Sequence, residues 1–80
     1  MTRSEAEAAL RGMFPEAEST YVYYNREDDT TSLNAALSPS AELSFDEVAS
    51  VARIFGPRFD IESTVARGSR WVAFRFRGKL

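Results

Sequence analysis

The sequence contains no cysteine and no histidine among its 80 residues. Disulfide bonds are therefore excluded, and so are Ser-His-Asp and Cys-His nucleophile arrangements and zinc sites with the usual ligands. The four glycines are scattered along the chain, so there is no glycine-rich phosphate-binding loop. Because these chemistries are missing, we expect a protein without catalytic residues, metal or cofactor, and hence not an enzyme.

The sequence also lacks a long apolar run. None approaches the ~18–20 residues that a membrane-spanning helix requires, and the N-terminal segment is acidic and interrupted by charges, unlike a secretory signal peptide. The chain length predicts a single domain, residues 1–80, with a small hydrophobic core. We therefore expect a cytoplasmic protein without a membrane partner.

Basic residues are few, and half of them lie at the C-terminal end. The net charge is −2, which disfavours a general binder of polyanions. Residues 1–66 carry twelve acidic and five basic side chains, whereas residues 67–80 carry five basic side chains and no acidic one. The chain is therefore bipolar, with an acidic body and a basic C-terminal end.

Two segments have the apolar periodicity of amphipathic helices. The first has two candidate capping boxes, Thr2 with Glu5 and Ser4 with Glu7, and it must end before Pro15. Its apolar stripe consists of Ala6, Ala9, Leu10 and Met13.

The second predicted helix has clearer boundaries. Ser44 with Glu47 fits a capping box at its start, and Gly56 followed by Pro57 fits its end. Its apolar stripe consists of Val48, Val51, Ala52 and Phe55.

Each predicted helix is followed by two strand-like runs. The first pair covers residues 20–25 and 30–37, and the second pair covers 58–66 and 70–77. The element order is therefore αββαββ, and we predict an α+β fold in which both helices cover one face of a four-stranded antiparallel sheet. The strand order stays open, as does an exchange of αββ halves between two chains.

Turn chemistry and side-chain pattern together predict the register of the last hairpin. Gly68-Ser69 suits the central positions of a type II′ turn. This turn places Glu62 opposite Arg75 and Asp60 opposite Arg77 on one side of the sheet. The other side of the sheet then holds the apolar positions Val22, Tyr24, Leu33, Ala35, Leu37, Phe59, Ile61, Val65, Val72, Phe74 and Phe76.

The two halves correspond when one is shifted by 41 residues. The shift places Leu10 on Val51 and Leu33 on Phe74, although few residues are identical. The halves are thus a pseudo-repeat of two αββ units, either through ancestral duplication or because two similar units follow one another.

The sheet face away from the helices is expected to carry exposed aromatics and arginines. Tyr, Trp and Arg are enriched at protein interfaces, and large exposed apolar patches usually mark interaction sites. We predict that partner contacts involve Tyr21, Tyr23, Asn34, Trp71, Arg67, Arg70, Arg75 and Arg77.

Three hypotheses compete for this face. Loops cover the aromatics, or the face binds a protein, including a second copy as a homodimer, or it binds single-stranded nucleic acid by stacking bases on the aromatics. Asp60 and Glu62 on the same face favour a protein, since complementary charges steer and orient protein association. The profile is typical of a small inhibitor or adaptor and is similar to that of phage-encoded inhibitors of host nucleoprotein machines.

Overall fold

The computed structural model describes all 80 residues and contains two helices and four strands in the order αββαββ. The strands form one antiparallel sheet, so the predicted fold class is confirmed. Neither helix has the length and apolar character needed to cross a membrane. The elements are α1 (Arg3–Met13), β1 (Ser19–Asn25), β2 (Thr30–Leu37), α2 (Phe45–Phe55), β3 (Asp60–Ala66) and β4 (Ser69–Arg77).

Both helices begin at a capping box. The hydroxyl of Thr2 accepts a hydrogen bond from the backbone N–H of Glu5 at 3.1 Å, and the Glu5 carboxylate accepts one from the N–H of Thr2 at 2.8 Å. The same reciprocal pair joins Ser44 and Glu47, at 3.1 and 2.9 Å. Each box satisfies two backbone donors that a helix start leaves without partners, so it fixes where the helix begins.

The two hairpins join through their second strands, in the order β1-β2-β4-β3. Leu33 lies directly opposite Phe74 in the β2–β4 pairing. These two residues are also equivalent under the 41-residue shift between the halves. The halves are therefore related by a pseudo-twofold axis that passes between Leu33 and Phe74.

The first hairpin has the register that its apolar pattern predicts. Val22 lies opposite Leu33, and Tyr21 lies opposite Asn34. The two tyrosines of the outward-facing pattern, Tyr21 and Tyr23, thus share one face, because side chains alternate along a strand.

The predicted register of the second hairpin is wrong by two residues. Arg67 and Gly68 form the turn with φ values of 53° and 77°, the pattern of a type I′ turn, and Ser69 already pairs with Ala66. The Ser69 hydroxyl donates to the Glu18 carboxylate at 3.1 Å, which holds Ser69 in the strand. A shift of two residues preserves the side on which each side chain lies.

This shift changes the cross-strand charge pairs. Asp60, rather than Glu62, lies opposite Arg75, and Glu62 lies opposite Ala73. Glu62 still forms an ion pair with Arg75, along the diagonal between the strands. The predicted pairing of Asp60 with Arg77 does not form.

The hydrophobic core lies between the helices and the sheet face that we call the inner face. Phe55 of α2 packs on Phe76, with ring centroids 6.0 Å apart, and Phe59 packs on both Phe74 and Phe76, at 5.7 and 5.2 Å. The buried cluster consists of Ala6, Leu10, Phe14, Val22, Leu33, Ala35, Leu37, Val51, Val72, Phe74 and Phe76.

Two residues predicted for the core are exposed. Ile61 and Val65 lie on the inner face of β3 but are 44% and 53% exposed, and every residue of β3 is exposed. No Cα of α2 lies within 8 Å of a Cα of β3 or β4. Phe55 of α2 and Phe59 both pack on Phe76 of β4, whereas α2 leaves β3 uncovered.

Candidate functional site

The outer face is the side of the sheet opposite the helices, and three rows of paired residues cross it. All rows follow from the registers of the three strand pairs, since residues opposite one another point to the same side. From β1 to β3 the rows are Tyr23–Ser32–Arg75–Asp60, Tyr21–Asn34–Ala73–Glu62 and Ser19–Ala36–Trp71–Thr64.

A groove runs along the outer face. Its aromatic wall consists of Tyr21 and Tyr23 on β1, which are 43% and 56% exposed. The short side chains of Ser32 and Asn34 on β2 form the floor, and Arg75 on β4 lines the other side. The backbones of β1 and β4 are two strand spacings apart, about 10 Å. The two tyrosines are therefore accessible beside a recess.

Both polar atoms of the Asn34 side-chain amide form hydrogen bonds within the floor of the groove. Its nitrogen donates to the backbone oxygens of Ser32 and Tyr21 at 3.2 and 3.4 Å, and its oxygen accepts from the Ser32 hydroxyl at 3.1 Å. Asn34 was predicted as a partner contact. Its side chain orders the floor between the tyrosines and Arg75, and its contact with a partner stays a prediction.

Arg75 lines the side of the groove opposite the tyrosines, and its charge is neutralised by an ion pair with Glu62. The hydrogen bond from Arg75 holds the pKa of the Glu62 carboxyl below its usual value, and the same bond raises the pKa of the guanidinium. The carboxylates of Asp28 and Asp60 also act on Arg75, and both line the groove. Asp28, in the β1–β2 turn, was not among the predicted site residues, because its place beside Arg75 follows only from the β2–β4 pairing.

Three of the four predicted arginines, Arg67, Arg70 and Arg77, have no carboxylate partner. The only ion pairs of the protein are Arg3 with Glu7 and Arg75 with Glu62, so Arg67 and Arg77 are free. They lie at opposite ends of β4: Arg67 is in the β3–β4 turn, whereas Arg77 lines the groove opposite Thr30. The groove therefore has one free positive charge at one end, provided by Arg77.

Arg70 does not belong to the outer face. It lies on the inner face between Leu37 and Val65, and its guanidinium donates to the Ser63 hydroxyl at 2.9 Å and to the carbonyl of Pro39 at 3.4 Å. Its position on β4 has the same parity as the buried Val72, which determines the side. Arg70 thus ties the loop after β2 to the edge of the sheet.

Trp71 lies on the outer face as predicted, but it is half-buried. Its indole N–H donates to the backbone carbonyl of Ala66 at 3.2 Å, and the Trp71 backbone pairs with that of Ala36, which is 1% exposed. A buried indole usually satisfies its N–H in this way. Trp71 therefore contributes to the β3–β4 hairpin, and the more accessible aromatics of this face are Tyr21 and Tyr23.

Comparison with known proteins yields no match: no family model fits the sequence, and no curated protein or solved structure matches the chain significantly. No group of three or more acidic side chains is arranged so that it could hold a metal ion. What the outer face can bind therefore follows from its own geometry and charge.

Proposed function

We propose that this protein is a small protein-binding module of the inhibitor or adaptor type, and that its partner contacts the groove on the outer face. The observation that carries the proposal is the exposure of Tyr21 and Tyr23, 43% and 56%, side by side on a sheet face that no helix covers. Tyrosine combines a large apolar ring with a polar end and is enriched among residues that dominate binding energy.

The charges beside the tyrosines support a protein partner. Arg75 is paired with Glu62 and lies near Asp28 and Asp60, so its charge is already balanced. A nucleic-acid platform needs unpaired bases along the path of the phosphates. A surface with both signs of charge suits a protein that presents complementary groups.

Single-stranded nucleic acid is the alternative, and Arg77 is the observation that favours it. This free arginine lines the same groove as Tyr23, and bases stack on aromatic rings in many nucleic-acid-binding domains. The two proposals differ in salt dependence. Counterion release makes phosphate binding fall steeply with salt, whereas burial of aromatic surface is much less sensitive.

The test compares proteins captured from a cell lysate by the parent chain and by Tyr21→Ala/Tyr23→Ala. Both rings are exposed, so the double variant is expected to fold like the parent, as circular dichroism would check. We expect the variant to lose the captured partner, with a decrease in affinity of about 2 kcal/mol or more for the purified pair. Phe45→Ala is the matched control, because Phe45 is an 85% exposed aromatic outside the outer face.

A second measurement decides between the partner classes. We expect no appreciable binding of random single-stranded oligonucleotides near physiological salt, and a shallow salt dependence for the captured protein. Tight oligonucleotide binding that is lost in Tyr21→Ala/Tyr23→Ala would contradict the proposal and establish the alternative. Self-association lost in the same variant would identify the partner as a second copy of the chain.

A further inference from the structure

The strand β3 is an undefended edge of the sheet. It pairs with β4 on one side only, and all seven of its residues, Asp60–Ala66, are exposed. An exposed edge is a template for another strand, and monomeric proteins usually protect it with proline, lysine, a bulge or an inward-pointing charge. β3 contains no proline, glycine or lysine, and its inner-face side chains Ile61, Ser63 and Val65 are uncharged.

We propose that β3 pairs with β3 of a second copy of this chain, antiparallel about a twofold axis at Ser63. The two sheets then form one continuous eight-stranded sheet. This surface differs from the groove of the proposed function, because its apolar contacts lie on the inner face and at the edge. The tyrosine groove of each copy stays open.

The side-chain pattern of β3 is self-complementary in this register. Ile61 of one copy lies opposite Val65 of the other, and the twofold axis repeats the pair, so both exposed apolar side chains of each copy gain a cross-strand partner. On the outer face Glu62 lies opposite Thr64, and Asp60 lies opposite Ala66. No like charges within β3 are therefore opposed, and the nearest inner-face cation, Arg70 of β4, is hydrogen-bonded to the Ser63 hydroxyl and the Pro39 carbonyl of its own chain.

The neighbouring symmetric registers are less favourable. Centring the axis on Glu62 places the two copies of this carboxylate opposite each other, which is destabilising. Centring it on Thr64 places Ile61 opposite Arg67 and separates it from Val65. Any register between these mixes the two faces of the sheets, because side chains alternate along a strand.

The opposite edge of the sheet does not offer the same gain. Val22 on the inner face of β1 is the residue that the pseudo-twofold axis relates to Ile61. It is 4% exposed because α1 covers it. Pairing through β1 would therefore bury little additional apolar surface on the inner face. The uncovered side chains Ile61 and Val65 single out β3 as the edge that associates.

Charge-introducing variants test the register. At high micromolar concentration, we expect sedimentation equilibrium to give the parent twice the 9.0 kDa mass of one chain, and to give Ile61→Lys and Val65→Glu the mass of one chain each. An equimolar mixture should recover the doubled mass, because the lysine introduced in one copy then faces the glutamate introduced in the other, while the native Ile61 and Val65 form the second pair. Ile54→Lys is the matched control, since Ile54 is 40% exposed on α2, and it should remain dimeric.

A cysteine substitution provides a second test that does not depend on dimer stability. The chain has no cysteine, and the proposed axis brings the two copies of Ser63 directly opposite each other, within the Cα separation that a disulfide spans. Ser63→Cys should form a covalent dimer on mild oxidation, whereas Thr64→Cys, displaced diagonally from its copy, should not. A monomeric parent, a dimer unaffected by Ile61→Lys, or equal cross-linking of both cysteine variants would overturn the proposal.

Discussion

The two αββ halves share a pseudo-twofold axis but differ in how well each helix covers its outer strand. Val22, Leu33, Phe74 and Ile61 form one row across the inner face, in which the pseudo-twofold axis relates Val22 to Ile61. The first three are 4%, 0% and 0% exposed, whereas Ile61 is 44% exposed. Equivalent positions in the sheet therefore have opposite environments.

The difference arises from what lies beneath each helix. α1 places the side chains of Ala6 and Leu10 directly on β1 and β2 and buries both completely. In the second half, Phe55 of α2 and Phe59, in the segment between α2 and β3, pack on Phe76 of the central strand β4. The second half thus concentrates its aromatic packing at the centre of the sheet, and its edge strand remains available for association.

The largest effect is expected at the pseudo-twofold axis. Phe74→Ala removes a fully buried ring that packs against Phe14 and Phe59, with centroids 6.0 and 5.7 Å away. We expect the free energy of unfolding to fall by about 3–5 kcal/mol, which is enough to unfold a marginally stable domain. Urea denaturation followed by circular dichroism measures this change. A variant that unfolds at the parent's urea concentration would contradict the assignment of Phe74 to the core.

A smaller loss of stability is expected for substitutions in the edge strands, and it should differ between β1 and β3. Val22→Ala should lower the free energy of unfolding by about 1.5–3 kcal/mol, because it removes buried methyl groups. Ile61→Ala removes more atoms but should cost less, about 1 kcal/mol or below, when measured at dilutions at which the chain is monomeric. Equal losses in the two variants would mean that α2 covers β3 in solution as well as α1 covers β1.

The smallest effect concerns the ion pair on the outer face. Arg75 lowers the pKa of Glu62 in the folded state, so the pair stabilises the fold above the ordinary glutamate pKa of 4.5 and loses this contribution as the pH falls through the lowered value. The Glu62 carboxyl can be titrated by NMR. In Arg75→Gln its pKa should return toward the ordinary value, and an unchanged pKa would show that the pair does not persist in solution.

Much of the fold could be predicted from local signals. The capping box at Ser44 marks the start of α2, and one of the two candidate boxes, Thr2 with Glu5, marks the start of α1. Alternation of apolar side chains determines which side of the sheet each strand residue faces. The outer-face location of Tyr21 and Tyr23 followed from that alternation. Functional predictions made from these residues remain predictions until the binding experiments are done.

Three features could not be predicted because they depend on contacts between distant segments. The strand order, with β2 and β4 at the centre, brings Asp28 beside Arg75 and makes the first half's turn part of the groove. The two-residue shift in the last hairpin is accompanied by a hydrogen bond from Ser69 to Glu18, which lies 51 positions earlier in the chain. The hydrogen bond from the half-buried Trp71 indole to the Ala66 carbonyl forms within the shifted hairpin.

The sequence by itself determined the element order, the boundaries of α2 and the two faces of the sheet, because caps and side-chain periodicity act over a few residues. The tertiary structure alone decided which apolar residues are buried. Ile61 and Val65 carry the same apolar signal as Val22, yet they are exposed because α2 does not cover β3 as α1 covers β1. Burial depends on what packs above a residue, and alternation along a strand carries no information about that.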